Sequence, residues 1–149
     1  MVALKAEAKA LVDKYKLKNY KNSEIEVTIS SIGSEAMFQA TTKVLQTFCE
    51  NDIIINVGIC GAKNNYNIGE LIDARYKTIT CIDYEATDSK YEIVDMESAG
   101  FIKATKDIKN SFIFKIVSDH FEPHTVTKDK TKQLIFKQID KIMQILSKV

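Results

Sequence analysis

The sequence predicts one α/β domain, a three-layer sandwich with helices on both faces of a central sheet. Three observations carry that expectation. Segments with apolar residues at helical spacing alternate along the chain with short runs rich in β-branched residues. Two of those runs, residues 52–57 and 111–117, are apolar almost without interruption, as a strand covered on both faces requires. The chain has 149 residues, 45% apolar and 28% charged, and at that size about 70% of the unfolded surface is hidden on folding, enough for one core. No internal repeat and no Pro- or Gly-rich linker divides it, so residues 1–149 are expected to form one domain.

In chain order, residues 1–4 suit a very short strand, and residues 6–17 a helix with Ala8, Leu11, Val12 and Tyr15 on one face. Residues 24–30 (EIEVTIS) alternate and predict a strand. Residues 31–33 form a turn, and Ser34 is a suitable N-cap. The helix that follows places Ala36, Met37, Ala40, Val44, Leu45 and Phe48 together and ends near Asn51. A buried strand over 52–57 is expected to break at Gly58–Ala62, followed by a polar loop over 63–69. Residues 71–82 predict one long strand or two, residues 87–90 a turn, and residues 91–94 a short strand. A helix is expected from Asp95–Met96 towards Asp107, and a strand over 111–117 halted at Ser118-Asp119. After a loop containing Pro123, residues 127–147 predict a closing helix with Leu134, Ile135, Ile139, Ile142, Met143 and Leu146 inward. Met37 and Met143 are both expected in the core.

Charge and composition exclude several functions. Twenty-one basic and twenty acidic residues leave a net charge of +1, which provides no footprint for nucleic acid or an anionic membrane surface. Arg75 is the only arginine, so no arginine cluster can clamp a phosphate. Cys49, Cys60 and Cys81 lack metal or redox spacing and are expected to be buried free thiols of a reducing compartment. The start of the chain has no apolar signal core, and no run reaches the roughly 20 apolar residues of a membrane span. A cytoplasmic domain is the expectation. His120 and His124 flank a proline loop and are expected to be solvated rather than metal ligands, and Cys60 to be a packed thiol.

Ligands of open α/β sheets collect at the carboxyl ends of strands. Glycine-rich or polar sequence follows the predicted strands at residues 4–7, 31–33, 58–61 and 118–119, and acidic residues at 95–97 open a helix. The blocks NVGICGA (56–62), NIGEL (67–71), VDMESAG (94–100) and FKIVSDH (114–120) follow one another in that order. With ALKAEAKAL (3–11) and ISSIGSEAM (29–37) ahead of them, the chain resembles the nucleoside phosphorylase and nucleosidase superfamily. VDMESAG is the most specific of the blocks. The branch most similar is that of the hydrolases, 5′-methylthioadenosine/S-adenosylhomocysteine nucleosidase and futalosine hydrolase.

That resemblance implies a mixed central sheet of the phosphorylase/hydrolase kind, a small-molecule nucleoside as ligand, no cofactor or metal, and a homodimer. It implies that Asp119 is the general acid protonating the departing purine and that Glu7 orients the attacking water. Glu97 would accept hydrogen bonds from the ribose hydroxyls, with Met96 packing on the sugar and Asp95 beside it. Gly58, Ile59, Cys60 and Gly61 would bring backbone close to the substrate. The residue types suit the chemistry: breaking an N-ribosidic bond develops positive charge on the sugar and negative charge on the base, as in glycoside hydrolysis by two carboxyl groups. A general acid also needs burial to hold its proton near neutral pH, and the apolar strand ahead of Asp119 is suited to provide it. The chain departs from the family in three places. Ile59 stands where a small polar residue is common, and Asp95 where glutamate is common. The segment between Tyr76 and Val94 is much shortened, leaving Tyr84 and Tyr91 as the aromatics available to a base.

Overall fold

The computed structural model describes residues 1–88 and 90–149. Strands β1 (Ile54–Ala62) and β5 (Ser111–Asp119) lie side by side in parallel at the sheet centre. Their alternate residues face two different layers, which is why both runs are apolar almost without interruption, Asn56 and Lys115 being the exceptions within them. On one face Ile55, Val57 and Ile59 of β1 and Phe112, Phe114 and Ile116 of β5 meet helices α1 (Lys5–Tyr15) and α4 (Lys128–Leu146), with Ala8, Ile135, Ile139 and Ile142 filling the contact. On the other, Ile54 and Ile113 pack with Met37 of α2 (Ser34–Leu45) and Phe101 of α3 (Ser98–Ala104). Three short strands complete the sheet: β2 (Leu71–Asp73), β3 (Thr80–Cys81) and β4 (Ile93–Asp95). The order is β2-β5-β1-β4-β3, with β1/β4 and β2/β5 antiparallel and β3/β4 parallel. This is the mixed three-layer α/β/α sandwich predicted. A 3₁₀ turn (Pro123–Thr125) precedes α4, whose N-cap is Thr127. Among the described residues no helix is long and apolar enough to cross a membrane.

Several boundaries differ from the expectation for identifiable reasons. β1 does not break at Gly58 but runs on to Ala62, because β5 pairs with it residue for residue through Cys60↔Val117. A bulge between Cys60 and Gly61 then re-aims the strand, setting Gly61 beside Asp119. Residues 24–30 do not form a strand; Lys21↔Glu26 and Val2↔Ile29 are isolated bridges. The alternation there is real, since Val27 is buried, but the segment meets only single bridges, to Val2 and to Lys21, rather than a strand. Residues 71–82 split between opposite edges of the sheet. A turn at Asp73, gripped by the Arg75 guanidinium at 2.6 Å, ends β2. Helix α3 starts at Ser98 rather than near Asp95–Met96, because Asp95 completes β4 and its carboxylate accepts from the Ser98 N–H at 2.9 Å. Likewise β5 extends through Asp119. Gly33, not Ser34, occupies the N-cap of α2.

Met37 is fully buried as expected, whereas Met143 is 41% exposed and lies outside the core, one position beyond the inward row of α4. Cys60 is buried, Cys81 half-buried and Cys49 exposed, so the expectation of three buried thiols holds for one of them.

One glycine permits the α2–α3 contact. A Cβ on Gly100 would lie 1.8 Å from the Ser34 carbonyl oxygen, so no side chain fits without separating the helices. Gly100→Ala is expected to lower stability by about 1–3 kcal/mol, as overpacking does. An unchanged urea midpoint would show that the helices do not approach this closely.

Candidate active site

A cavity of about 520 Å³ opens at the carboxyl ends of β1 and β5, within the size range of small-molecule sites. Its wall contains Glu7, Ile59, Cys60, Gly61, Asp95, Met96, Glu97 and Asp119. These are all the predicted site residues but one. Gly58 stands behind the wall, where a Cβ would meet Glu7 Oε1 at 2.9 Å and Lys115 Nζ at 3.2 Å. The missing side chain there leaves room for the Glu7 carboxylate against the strand.

Glu7 is not the solvated acid that an amphipathic helix alone would suggest; it is 2% exposed. Its Oε2 accepts from the N–H groups of Ala3 and Leu4, both at 2.9 Å, and Oε1 accepts from Ile59 N–H at 3.0 Å. The carboxylate therefore ties the start of α1 to the middle of β1. A carboxylate has about four acceptor positions; three are filled, which leaves one on Oε1. Burial raises the Glu7 carboxyl above its ordinary value, opposed by Lys115 and by the Leu4 and Ile59 N–H groups.

Lys115 was not singled out from the sequence. It is 1% exposed in the middle of β5, with Nζ at 2.9 Å from Asp95 Oδ2 and 3.7 Å from Glu97 Oε2. Burial works against its charge, but Asp95, Glu97 and Glu7 together hold the ammonium above its ordinary value. Its positive charge offsets part of the charge of Glu7, Asp95 and Glu97, three of the four buried carboxyl groups of the site. The signal was present: a lysine in a strand covered on both faces must have an anionic partner. Asp95 is held on both oxygens, since Oδ1 also accepts from the Ser98 hydroxyl at 2.5 Å. Glu97 is freer. Its Oε1 accepts only from Gly33 N–H, at 3.2 Å, which explains why the ISSIGSEAM block belongs to the site.

Asp119 ends β5 at 8% exposure. Its Oδ2 accepts from Glu122 N–H at 2.9 Å, and its Oδ1 lies 2.6 Å from the Ser118 hydroxyl. That hydroxyl is also 3.1 Å from the Cys60 carbonyl oxygen. Having one proton, Ser118 can donate to ionised Asp119, or turn to Cys60 and accept from Asp119 when the acid is protonated. The pair can thus hold the carboxyl in place in both protonation states.

The remaining candidates fall outside this chemistry. Burial pushes the Cys60 thiol up, so it is not a thiolate nucleophile. The His120 ring nitrogen lies 2.8 Å from the Tyr66 carbonyl oxygen, and His124 is exposed. Among the described residues no group of His, Cys, Asp or Glu could hold a metal ion. Tyr84 reaches the cavity wall with its hydroxyl 3.1 Å from that of Tyr91.

No family model matches the chain, and no curated protein matches it in sequence. Solved structures do. A 5′-methylthioadenosine/S-adenosylhomocysteine nucleosidase from Helicobacter pylori, in complex with butyl-thio-DADMe-Immucillin-A, superposes with a TM-score of 0.74 at 10% identity, over 99% of this chain and 96% of that one. The fold is that of the nucleosidases. The corresponding enzyme from Neisseria meningitidis, in complex with methylthio-immucillin-A, gives 0.72 at 16% identity, covering 99% and 96% of the two chains. Futalosine hydrolase from Helicobacter pylori gives 0.65 at 12% identity, covering 94% and 95%. The neighbours thus fall in the nucleosidase and futalosine hydrolase branch that the sequence blocks resemble.

Proposed function

We propose that this chain hydrolyses the N-glycosidic bond of a purine nucleoside or related metabolite. The observation that carries this reading is the convergence of Asp119, Glu97 and Glu7, three buried carboxyl groups from three separate elements, on one cavity of the nucleosidase fold. Asp119 gives its proton to the base nitrogen as the C1′–N bond breaks. The free position on Glu7 Oε1 takes a proton from the water whose oxygen bonds to C1′. Glu97 accepts hydrogen bonds from the ribose hydroxyls, and Met96 packs against the sugar. The raised Glu7 carboxyl suits a group that must accept a proton during the reaction. Tyr84 is the aromatic on the wall placed to meet the base. Ile32 and Tyr84 line the cavity yet are 56% and 52% exposed, an open side that a second copy would cover in a homodimer.

Hydrolysis is favoured over phosphorolysis by the place of Arg75. The only arginine of the chain pairs with Asp73 at β2 and is absent from the cavity wall. The test of the ribose contact is Glu97→Gln. Losing a charge-assisted hydrogen bond costs about 1.5–3 kcal/mol, so nucleoside binding should weaken by one to two orders of magnitude, and free adenine, which has no sugar, should bind as before. Equal losses for both ligands in calorimetry contradict the ribose role.

A further inference from the structure

The register of β5 on β1 passes from Cys60↔Val117 to Gly61↔Asp119, so Ser118 is the extra residue of the bulge and has no opposite residue in β1. In a regular strand successive side chains point to opposite faces. Here two consecutive ones, Ser118 and Asp119, line the same cavity, the re-aiming that a bulge produces. Ser118 is 1% exposed. Among the described residues its hydroxyl has two partners, Asp119 Oδ1 at 2.6 Å and the Cys60 carbonyl oxygen at 3.1 Å. A carbonyl can only accept, whereas a carboxyl group donates when protonated and accepts when ionised. The second oxygen of Asp119, Oδ2, has a fixed backbone donor, the Glu122 N–H at 2.9 Å, whose direction is the same in both states. Ser118 is therefore the partner of Asp119 whose hydrogen bond can reverse.

We propose that Ser118 is a positioning residue of the reaction: it turns its proton from the Cys60 carbonyl to Asp119 Oδ1 as the acid releases its own, and so lowers the barrier to loss of the base. The inference rests on the nucleosidase reading, in which Asp119 is the acid. The electron pair of the C1′–N bond stays with the base, the base nitrogen takes the Asp119 proton, and the carboxyl becomes a carboxylate. Ser118 keeps its proton throughout and changes only the acceptor. It exchanges a neutral hydrogen bond to a carbonyl for a charge-assisted one to a carboxylate, roughly twice as strong. That gain is absent while the acid holds its proton and grows as the proton leaves. It therefore acts in the transition state and not in substrate binding.

The test is steady-state turnover of Ser118→Ala, beside the parent chain, Asp119→Asn and the double variant, on a panel of purine nucleosides and on a nitrophenyl riboside. On the purine nucleosides kcat of Ser118→Ala should fall about 10- to 100-fold with KM nearly unchanged, as for a hydrogen bond to a charged group gained only in the transition state. The loss should vanish for the nitrophenyl riboside, whose leaving group needs no proton. It should also vanish when Ser118→Ala is added to Asp119→Asn, which has no proton to release. Urea unfolding of the same variants reads a purely structural role separately. A hydroxyl that only ties β5 to β1 predicts a lower midpoint and equal losses on both classes of substrate, and that result overturns the proposal. Parent-like turnover of purine nucleosides by Ser118→Ala also overturns it and leaves the nucleosidase reading intact. No base released by the parent chain from any purine nucleoside overturns both.

Discussion

Asp119→Asn is expected to lower turnover by about 10²–10⁴-fold, the usual contribution of a general acid, with little change in stability. The second half of that expectation follows from the Ser118 hydroxyl. An amide NH₂ in place of Oδ1 can donate to Ser118 Oγ, which then turns its proton to the Cys60 carbonyl 3.1 Å away. The amide oxygen in place of Oδ2 continues to accept from Glu122 N–H. The asparagine therefore imitates the protonated acid without being able to release its proton. The loss should be much smaller for a nitrophenyl riboside, whose leaving group departs without protonation. If Asp119 only secures the end of β5, the variant should instead lose thermal stability and act poorly on both substrates alike.

The second large effect concerns folding. Lys115→Met should destabilise the protein by about 3–5 kcal/mol, the cost of breaking a buried ion pair from one side. Domains of this kind are stable by only about 5–15 kcal/mol, so the variant should be barely folded. The cause is not the lost attraction alone, since Asp95, with a fully buried side chain, would be left charged and without its cation. Lys115→Met/Asp95→Asn removes both charges of the closest pair and should recover part of the loss. Urea unfolding measures each step. A single variant as stable as the parent contradicts a structural role for the ammonium, and a double variant no better than the single assigns the loss to packing of the lysine stem.

The layers of the fold were legible because they depend on periodicity. The rows on α1 and α4 and the largely apolar runs of β1 and β5 describe surfaces that must be covered. Boundaries depended on partners that a single segment does not contain. Gly58 continues a strand because β5 is beside it, and residues 24–30 fail as a strand because they find only isolated bridges to Val2 and Lys21. In the site, Asp95, Glu97 and Asp119 were visible through their sequence blocks, and Glu7 through its place in ALKAEAKAL. The burial of Glu7 was not visible, since it depends on β1, 52 residues away in the chain, whose Ile59 N–H donates to its carboxylate. Lys115 was hidden in the opposite sense: its charge was plain, but its acidic neighbours come from two other parts of the chain, Glu7 in α1 and the pair Asp95 and Glu97 at the end of β4.

Cleavage of an N-glycosidic bond is tested most directly by one measurement. A panel of purine nucleosides with varied 5′ substituents, incubated with the protein with and without phosphate, is resolved by chromatography for free base and for sugar. Hydrolysis predicts equimolar free base and free ribose product, at a rate indifferent to phosphate and lowered about 10²–10⁴-fold by Asp119→Asn. Free base that forms only with phosphate, or none from any nucleoside at high protein concentration, contradicts it.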